Sequence, residues 1–296
     1  MRNALSFDIE DWFQVENMKD AIAPGDWDTL ELRVVRNTER ILKILRDNNT
    51  RATFFVLGWV AERCPALVKE IARDGHELAS HGYGHDLVYN LSQERFREDI
   101  RRSKDAIESI SGKKIYGYRA PSFSITKDSM WALDILKDEG FTYDSSVFPV
   151  SFHDRYGFDA CESTPFRWPN GLMEVPLTVY RIKGIALPLA GGGYFRLLPY
   201  MYFKYFFKKL NSRNERFTFY LHPWEIDPGQ PRIKLPLSYR IRHYVNLKET
   251  ENCLQKLLRD FRFDGIRAEC ASLAALGCTP VSESHTGRAG AHLTQK

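Results

Sequence analysis

The sequence predicts an α/β fold arranged as a barrel, and three observations lead there. Short β-like runs alternate with amphipathic helical stretches over most of the 296 residues, the mark of repeated strand-then-helix units. About seven such units occur without a Gly-x-Gly-x-x-Gly turn, which favours a distorted (β/α) barrel of seven or eight strands over a dinucleotide-binding open sheet. Acids, histidines and an arginine recur where the strand-like runs end, the positions from which barrels present their chemistry.

Ala4 to Phe7 reads as the first strand, and Asp28 to Arg46 as a helix with Leu32, Val35, Leu42 and Leu45 along one face. Thr53 to Leu57 is the next strand. Pro65 opens a short helix carrying Leu67, Val68 and Ile71, since a missing N–H costs nothing in a first turn, and Gly75 stops it. Glu77 to Ser80 follows as a strand. Ser92 is placed to cap a helix bearing Phe96, Ile100, Ile107 and Ile110 that ends at Gly112, after which Ile115 to Tyr118 is a strand. Thr126 to Glu139 repeats the helix, closed by Gly140, and Phe141-Thr142-Tyr143 the strand. Later strands are expected at Glu174 to Val179 and Phe217 to Leu221, and a last helix at Leu247 to Phe261. Residues 149–172 interrupt the alternation with Pro, Gly, His and Asp and read as a long loop over one barrel end, a candidate lid. Residues 1–278 are expected to form the barrel domain, and 279–296, rich in Ser, Thr, Gly and His, a disordered tail.

Composition narrows the classes. Hydrophobic residues make up 43% and charged residues 27%, enough for a large core, and a net charge of +4 gives no electrostatic case for nucleic acid. No run approaches the ~18 apolar residues of a membrane-crossing helix, and acids arrive at Asp8, before a signal-peptide core could form, so a cytoplasmic location is expected. Five cysteines without a Cys-x-x-Cys pair indicate neither a disulfide framework nor a sulfur-ligated zinc. Charge is uneven: residues 180–248 hold 13 Lys and Arg against Glu215, Glu225 and Asp227. There Tyr200, Tyr202, Phe203, Tyr205, Phe206 and Phe207 interleave with Lys204, Lys208 and Lys209. That pattern fits a barrel helix with a charged edge, or an interfacial helix meeting a membrane surface or an anionic lipid-linked glycan.

The chemistry is concentrated in five segments. His81 and His85 stand four apart directly after a predicted strand, and two imidazoles plus one carboxylate leave an open position of the kind catalytic zinc sites keep. Asp8, Glu10 and Asp11 crowd the end of the first strand among Phe7, Ile9 and Trp12, a costly arrangement unless a cation or arginine offsets the repulsion. A solvated loop with a helix-capping acid is the plainer alternative. Arg119 sits at another strand end, where a guanidinium can hold a carboxylate. His222 is presented by a strand that Pro223 ends abruptly, and Asp144 closes a fifth strand.

Ser6-Phe7-Asp8, His81-Gly82-Tyr83-Gly84-His85, Tyr118-Arg119-Ala120-Pro121-Ser122-Phe123, Tyr143-Asp144-Ser145-Ser146 and Leu221-His222-Pro223 resemble, in order, the five motifs of the NodB-homology polysaccharide deacetylases, carbohydrate esterase family 4. The resemblance covers about residues 4–225, leaving a family-specific extension from about 226. The stretch from Ser6 to Trp12, the glycine-rich 191–199 and Leu221 to Glu225 look like the subgroup of exosortase and exopolysaccharide gene clusters. The family implies a divalent metal (zinc, or cobalt or nickel) and removal of N-acetyl groups from a glycan. By its motifs Asp8 is the base, His81 and His85 are metal ligands, Arg119 orients the base, His222 is the general acid and Asp144 pairs with His222. The family's adjacent aspartates are interrupted here by Ile9, so the metal carboxylate is Glu10 or Asp11: strand alternation puts Glu10 on the side of Asp8, while Asp11 has the shorter side chain usual at such sites. Trp168, Tyr180, Tyr194, Phe195 and Trp224 are candidates to stack on sugar faces or to fill the core. An allantoinase-like amidohydrolase and a catalytically silent carbohydrate-binding protein are the competing classes.

Overall fold

The structure is a computed structural model and describes residues 1–150, 162–268 and 270. Its centre is β1 (Asn3–Ile9), buried along its whole length. Burial on both faces suits a central parallel strand, and its polar Asn3, Ser6 and Asp8 are buried with the rest. There follow α1 (Val34–Asp47), β2 (Thr53–Val56), α2 (Gly58–Arg63), α3 (Pro65–Arg73), β3 (Glu77–Ser80), α4 (Gln93–Ser111), β4 (Gly117–Tyr118), α5 (Trp131–Asp138) and β5 (Tyr143–Asp144). Past β6 (Phe166–Arg167) and β7 (Met173–Glu174), a separate antiparallel hairpin forms from β8 (Val179–Ile182) and β9 (Ile185–Pro188). The described chain then runs through α6 (Gly192–Leu197), α7 (Tyr200–Ser212), β10 (Thr218–Leu221), α8 (Leu237–Tyr244), α9 (Leu247–Asp260) and β11 (Phe263–Asp264).

The main sheet has the order β10-β1-β2-β3-β4-β5-β7-β6, with β11 also pairing β1. Neighbours are parallel except β6, which lies antiparallel on β7. Among the described residues no pairing joins β6 to β10, so this is a distorted (β/α) barrel whose sheet stays open along one seam. The register sets Phe7 beside Leu221, Asp8 beside Phe55, Ser80 beside Tyr118 and Tyr118 beside Asp144. All five motif segments therefore end at the same rim.

Several expected elements shift for local reasons. The helix read from Asp28 starts only at Val34, because Pro24–Thr29 forms a 3₁₀ turn and the buried stripe is Val34, Ile41, Leu42 and Leu45 rather than one including Leu32, which is 37% exposed. The helix read from Thr126 starts at Trp131, preceded by a 3₁₀ turn that Thr126 and Ser129 cap reciprocally. The single strand read over Glu174 to Val179 divides between β7 and β8. The aromatic helix α7 turns Phe203, Phe206, Phe207 and Leu210 inward, and Phe207 stacks on Phe217 at 3.9 Å. That face packs the core, while Met201 and Tyr205 on the same helix are exposed. The candidate lid lies partly, and the tail wholly, outside the described residues. No described helix is long and apolar enough to cross a membrane.

Candidate active site

Strand pleating carries Asp8 and Glu10 to the same side of the rim. Glu10 meets His81 and His85 there, and one ligand atom of each lies within 4.8 Å of the others, all three residues being buried. Glu10 Oε2 is 2.8 Å from His85 Nε2, so a buried carboxylate oxygen and an imidazole nitrogen, two good ligand atoms for a cation, converge on one point. His81 is prepared for ligation. Its Nδ1 lies 2.8 Å from the Arg119 carbonyl, which can only accept, so Nδ1 carries the proton and Nε2 presents a lone pair. Burial pushes the His81 pKa down to about 3, against the pull of Glu10. Burial alone would raise the Glu10 carboxyl, but His85, His222 and His81 outweigh it and keep it ionised.

Asp11 is elsewhere. Its carboxylate accepts from the backbone N–H groups of Trp12, Arg33 and Val34, which makes it the cap of α1. Of the two acids read as alternatives for the metal, the structure brings only Glu10 to the histidines, and the capping reading describes Asp11. Asp11→Ala is expected to lower stability by about 1–2 kcal/mol, read as a lower Tm with no loss of metal content.

The histidine loop is shaped by a residue that no motif named. Asp99 of α4 accepts from the N–H groups of Tyr83 and Gly84 at 2.9 and 3.2 Å. A Cβ on Gly82 would stand 2.8 Å from an Asp99 oxygen, and Gly82 also has φ +74°, so only glycine fits. His85 itself adopts φ +56°, backbone strain of the sort held at functional positions.

Asp8 Oδ1 accepts from Arg119 Nη1 at 2.7 Å, both side chains being buried. Arg119 is fixed in turn by Ser6 Oγ, Ser145 Oγ and the Ser145 carbonyl. Asp144 does not reach His222 and is corrected here. It accepts from Ser146 Oγ at 2.6 Å and is hydrogen-bonded to Glu174 on the neighbouring strand, the two carboxyls being fully buried. Burial raises both, Asp144 to about 6 and Glu174 well above the usual range, where the Asp144 charge adds to the effect. The pair shares a proton. Because its folded-state pKa lies above the unfolded 3.8, Asp144 contributes stability at low pH that is lost as pH rises through about 6. Asp144→Asn removes the carboxyl that titrates and keeps an oxygen that accepts from protonated Glu174, so it is expected to flatten that loss, measured as Tm on either side of pH 6.

The partner of His222 is Glu225. Its Oε2 is 3.0 Å from His222 Nδ1 and also accepts from the His222 backbone N–H. Arg196 Nε donates to the other oxygen at 3.0 Å, and both side chains are 1% exposed. Burial alone would raise Glu225, but Arg196 and the bond to His222 hold it at about 2. Burial works against a charged His222, but Glu10, Glu225 and Asp8 overcome it and lift the imidazole to about 9. Its Nε2 faces Glu10 Oε1 at 3.4 Å and Asp8 Oδ2 at 3.9 Å. Trp224 donates from Nε1 to Glu10 Oε1 and is sandwiched between His222 and His243. A cleft of about 350 Å³ opens over these groups, with Ser122, Tyr194, Tyr220 and Arg242 on its walls. Trp168, Tyr180 and Phe195 are core residues. A wider groove of about 960 Å³ along α4, lined by charges of both signs, contains none of these groups.

The Polysaccharide deacetylase family model matches residues 26–143, and the model described as Domain of unknown function (DUF3473) matches 145–271. Residues 26–143 thus carry a polysaccharide deacetylase domain. A Bacillus cereus peptidoglycan-N-acetylglucosamine deacetylase is 32% identical over 98 residues, 33% of this chain and 36% of that protein. A peptidoglycan deacetylase-like protein of Gibberella zeae, FGM2, is 33% identical over 117 residues, 39% of this chain and 33% of that protein. The chain thus spans about a third of the length of these two curated relatives. A solved structure from Mycobacterium smegmatis, described as a polysaccharide deacetylase, superposes with a TM-score of 0.62 at 20% identity over 94% of this chain and 92% of that one, which establishes the fold.

Beside this deacetylase domain the DUF3473 region supplies Arg196 and Glu225, residues to which the motifs give no role. Both stood in segments singled out as unusual. Gly192 links them: a Cβ there would lie 1.9 Å from the Glu225 carboxylate, so the glycine-rich segment and the His222-Pro223-Trp224-Glu225 turn are one packed unit. Asp99 also left a signal, as a carboxylate three residues after Phe96 on the buried stripe of α4.

Proposed function

We propose that this chain is a metal-dependent hydrolase that removes N-acetyl groups from an N-acetylhexosamine-containing glycan, in the biosynthesis of an exopolysaccharide. The convergence of Glu10, His81 and His85 beside an arginine-held Asp8 and a glutamate-held His222 carries the reading. Two imidazoles and a carboxylate suit zinc, and also cobalt or nickel. Such an ion, when bound, supplies polarisation of the acetamide carbonyl and of water.

The side chains divide the proton work. Arg119 occupies one oxygen of Asp8 and leaves Oδ2 toward the cleft, so Asp8 takes the proton of the attacking water. His222 is held through Nδ1 by Glu225 and offers the Nε2 proton to the departing amine, which leaves poorly as an anion. Tyr194, Tyr220 and Trp224 line the cleft and supply ring faces for a sugar. Asp144 takes no part in proton transfer; with Ser146 it holds the turn on which Arg119 rests.

The test is acetate release from oligosaccharides of N-acetylglucosamine by the purified chain. Release that a chelator abolishes and zinc or cobalt restores is the expected result. A fully metal-loaded, folded protein that frees no acetate from any N-acetylated glycan would overturn the reading.

A further inference from the structure

The chain between Asp227 and Glu249 contains Arg232, Lys234, Arg240, Arg242 and Lys248 and no acid. Within it, α8 buries only His243 and turns Leu237 and Ile241, one helical turn apart, outward at 62% and 46% exposure. Arg240 and Lys234 are exposed on the same segment. Outward leucine and isoleucine on a short cationic helix are not needed for folding.

Arg196 fixes where this face points. Its guanidinium donates to the carbonyls of Arg242, His243 and Val245, clamping the end of α8 to α6. The two elements meet at the catalytic cleft, since Leu197 and Arg242 both line it. Leu197 is 46% exposed, and Leu198 and Met201, the latter 65% exposed, continue the apolar edge. Exposed apolar side chains on two clamped elements, fringed by cations, thus border the entrance to the site.

We propose that α8 and the Leu197–Met201 turn dock on an anionic bilayer surface, so that the cleft receives a lipid-linked glycan at the membrane. The docking rests on the surface itself; the lipid-linked substrate rests on the deacetylase reading above. Apolar side chains enter the interface while Lys and Arg meet the anionic headgroups. Self-association of this face would oppose cations to cations with no acid in the segment to offset them. A nucleic acid would satisfy the cations and leave the leucines in water.

The full chain is sedimented with phosphatidylcholine vesicles, with and without phosphatidylglycerol. It is expected to pellet with the anionic vesicles and to be released by salt. Leu237→Asp combined with Ile241→Asp should weaken binding about tenfold or more and leave turnover of a soluble oligosaccharide unchanged, which also shows the variant is folded. Equal pelleting with neutral vesicles, undiminished binding by the double variant, or a dimer that the variant dissociates without any vesicle binding would each overturn the proposal. Vesicle binding by a folded, metal-loaded protein that frees no acetate from any N-acetylated glycan, soluble or lipid-linked, would support the docking and overturn the deacetylase reading alone.

Discussion

Asp8→Asn is expected to lower turnover of an N-acetylated oligosaccharide by about 10²–10⁴-fold, the worth of a general base, while metal content stays at the wild-type level. The amide oxygen can still accept from Arg119, and the space is unchanged, but the group facing the cleft no longer takes a proton. The partition follows from geometry, since Asp8 is bonded to Arg119 and Glu10 faces the histidines. Acetate release and elemental analysis on the same preparation check it. Loss of metal together with activity would make Asp8 a ligand instead.

His222→Ala is expected to cost about 10²–10⁴-fold on the amide and far less on an aryl acetate, whose leaving group needs no proton. Glu225→Gln should act on the same step through the pKa of His222. A cation shared by Glu10 would neutralise much of that acid's influence, leaving Glu225 at 3.0 Å as the nearest anion that favours the imidazolium, with Asp8 at 3.9 Å. Its removal lowers the folded-state pKa of His222, so the alkaline limb of the pH–rate profile should move to lower pH by about 1–3 units. Asp144→Asn should leave that limb in place, because Asp144 is bonded to Ser146 and Glu174 and not to the histidine. A shift in Asp144→Asn without one in Glu225→Gln would restore the pairing that the motif order implied.

Much of the rim was legible because strands in a parallel sheet are short apolar runs and their ends carry the polar residues. The strand expected over Glu77 to Ser80 is β3 to the residue, and the barrel class follows from the alternation together with the missing Gly-x-Gly-x-x-Gly turn. What sequence left open was decided by contacts distant along the chain. Asp11 is a cap only because Arg33 and Val34 approach it from 22 and 23 residues away, and nothing local separates that from ligation. The Asp144 pairing came from motif order, and it failed because the acid three residues past His222 is nearer and Glu174 already engages Asp144. Aromatic and lysine spacing fitted α7 either as a barrel helix or as an interfacial one; its Phe203, Phe206 and Phe207 pack the core, while the outward Leu237 and Ile241 of α8 lie in a stretch that this spacing does not reach.

The account turns on one division of labour, that Glu10 with His81 and His85 holds the metal while Asp8 and Asp11 do not. Elemental analysis of Glu10→Ala, Asp8→Asn and Asp11→Ala after identical reconstitution measures it directly. The account predicts that Glu10→Ala loses its divalent metal and that the other two retain it. Metal kept by Glu10→Ala and lost by folded Asp11→Ala would contradict it.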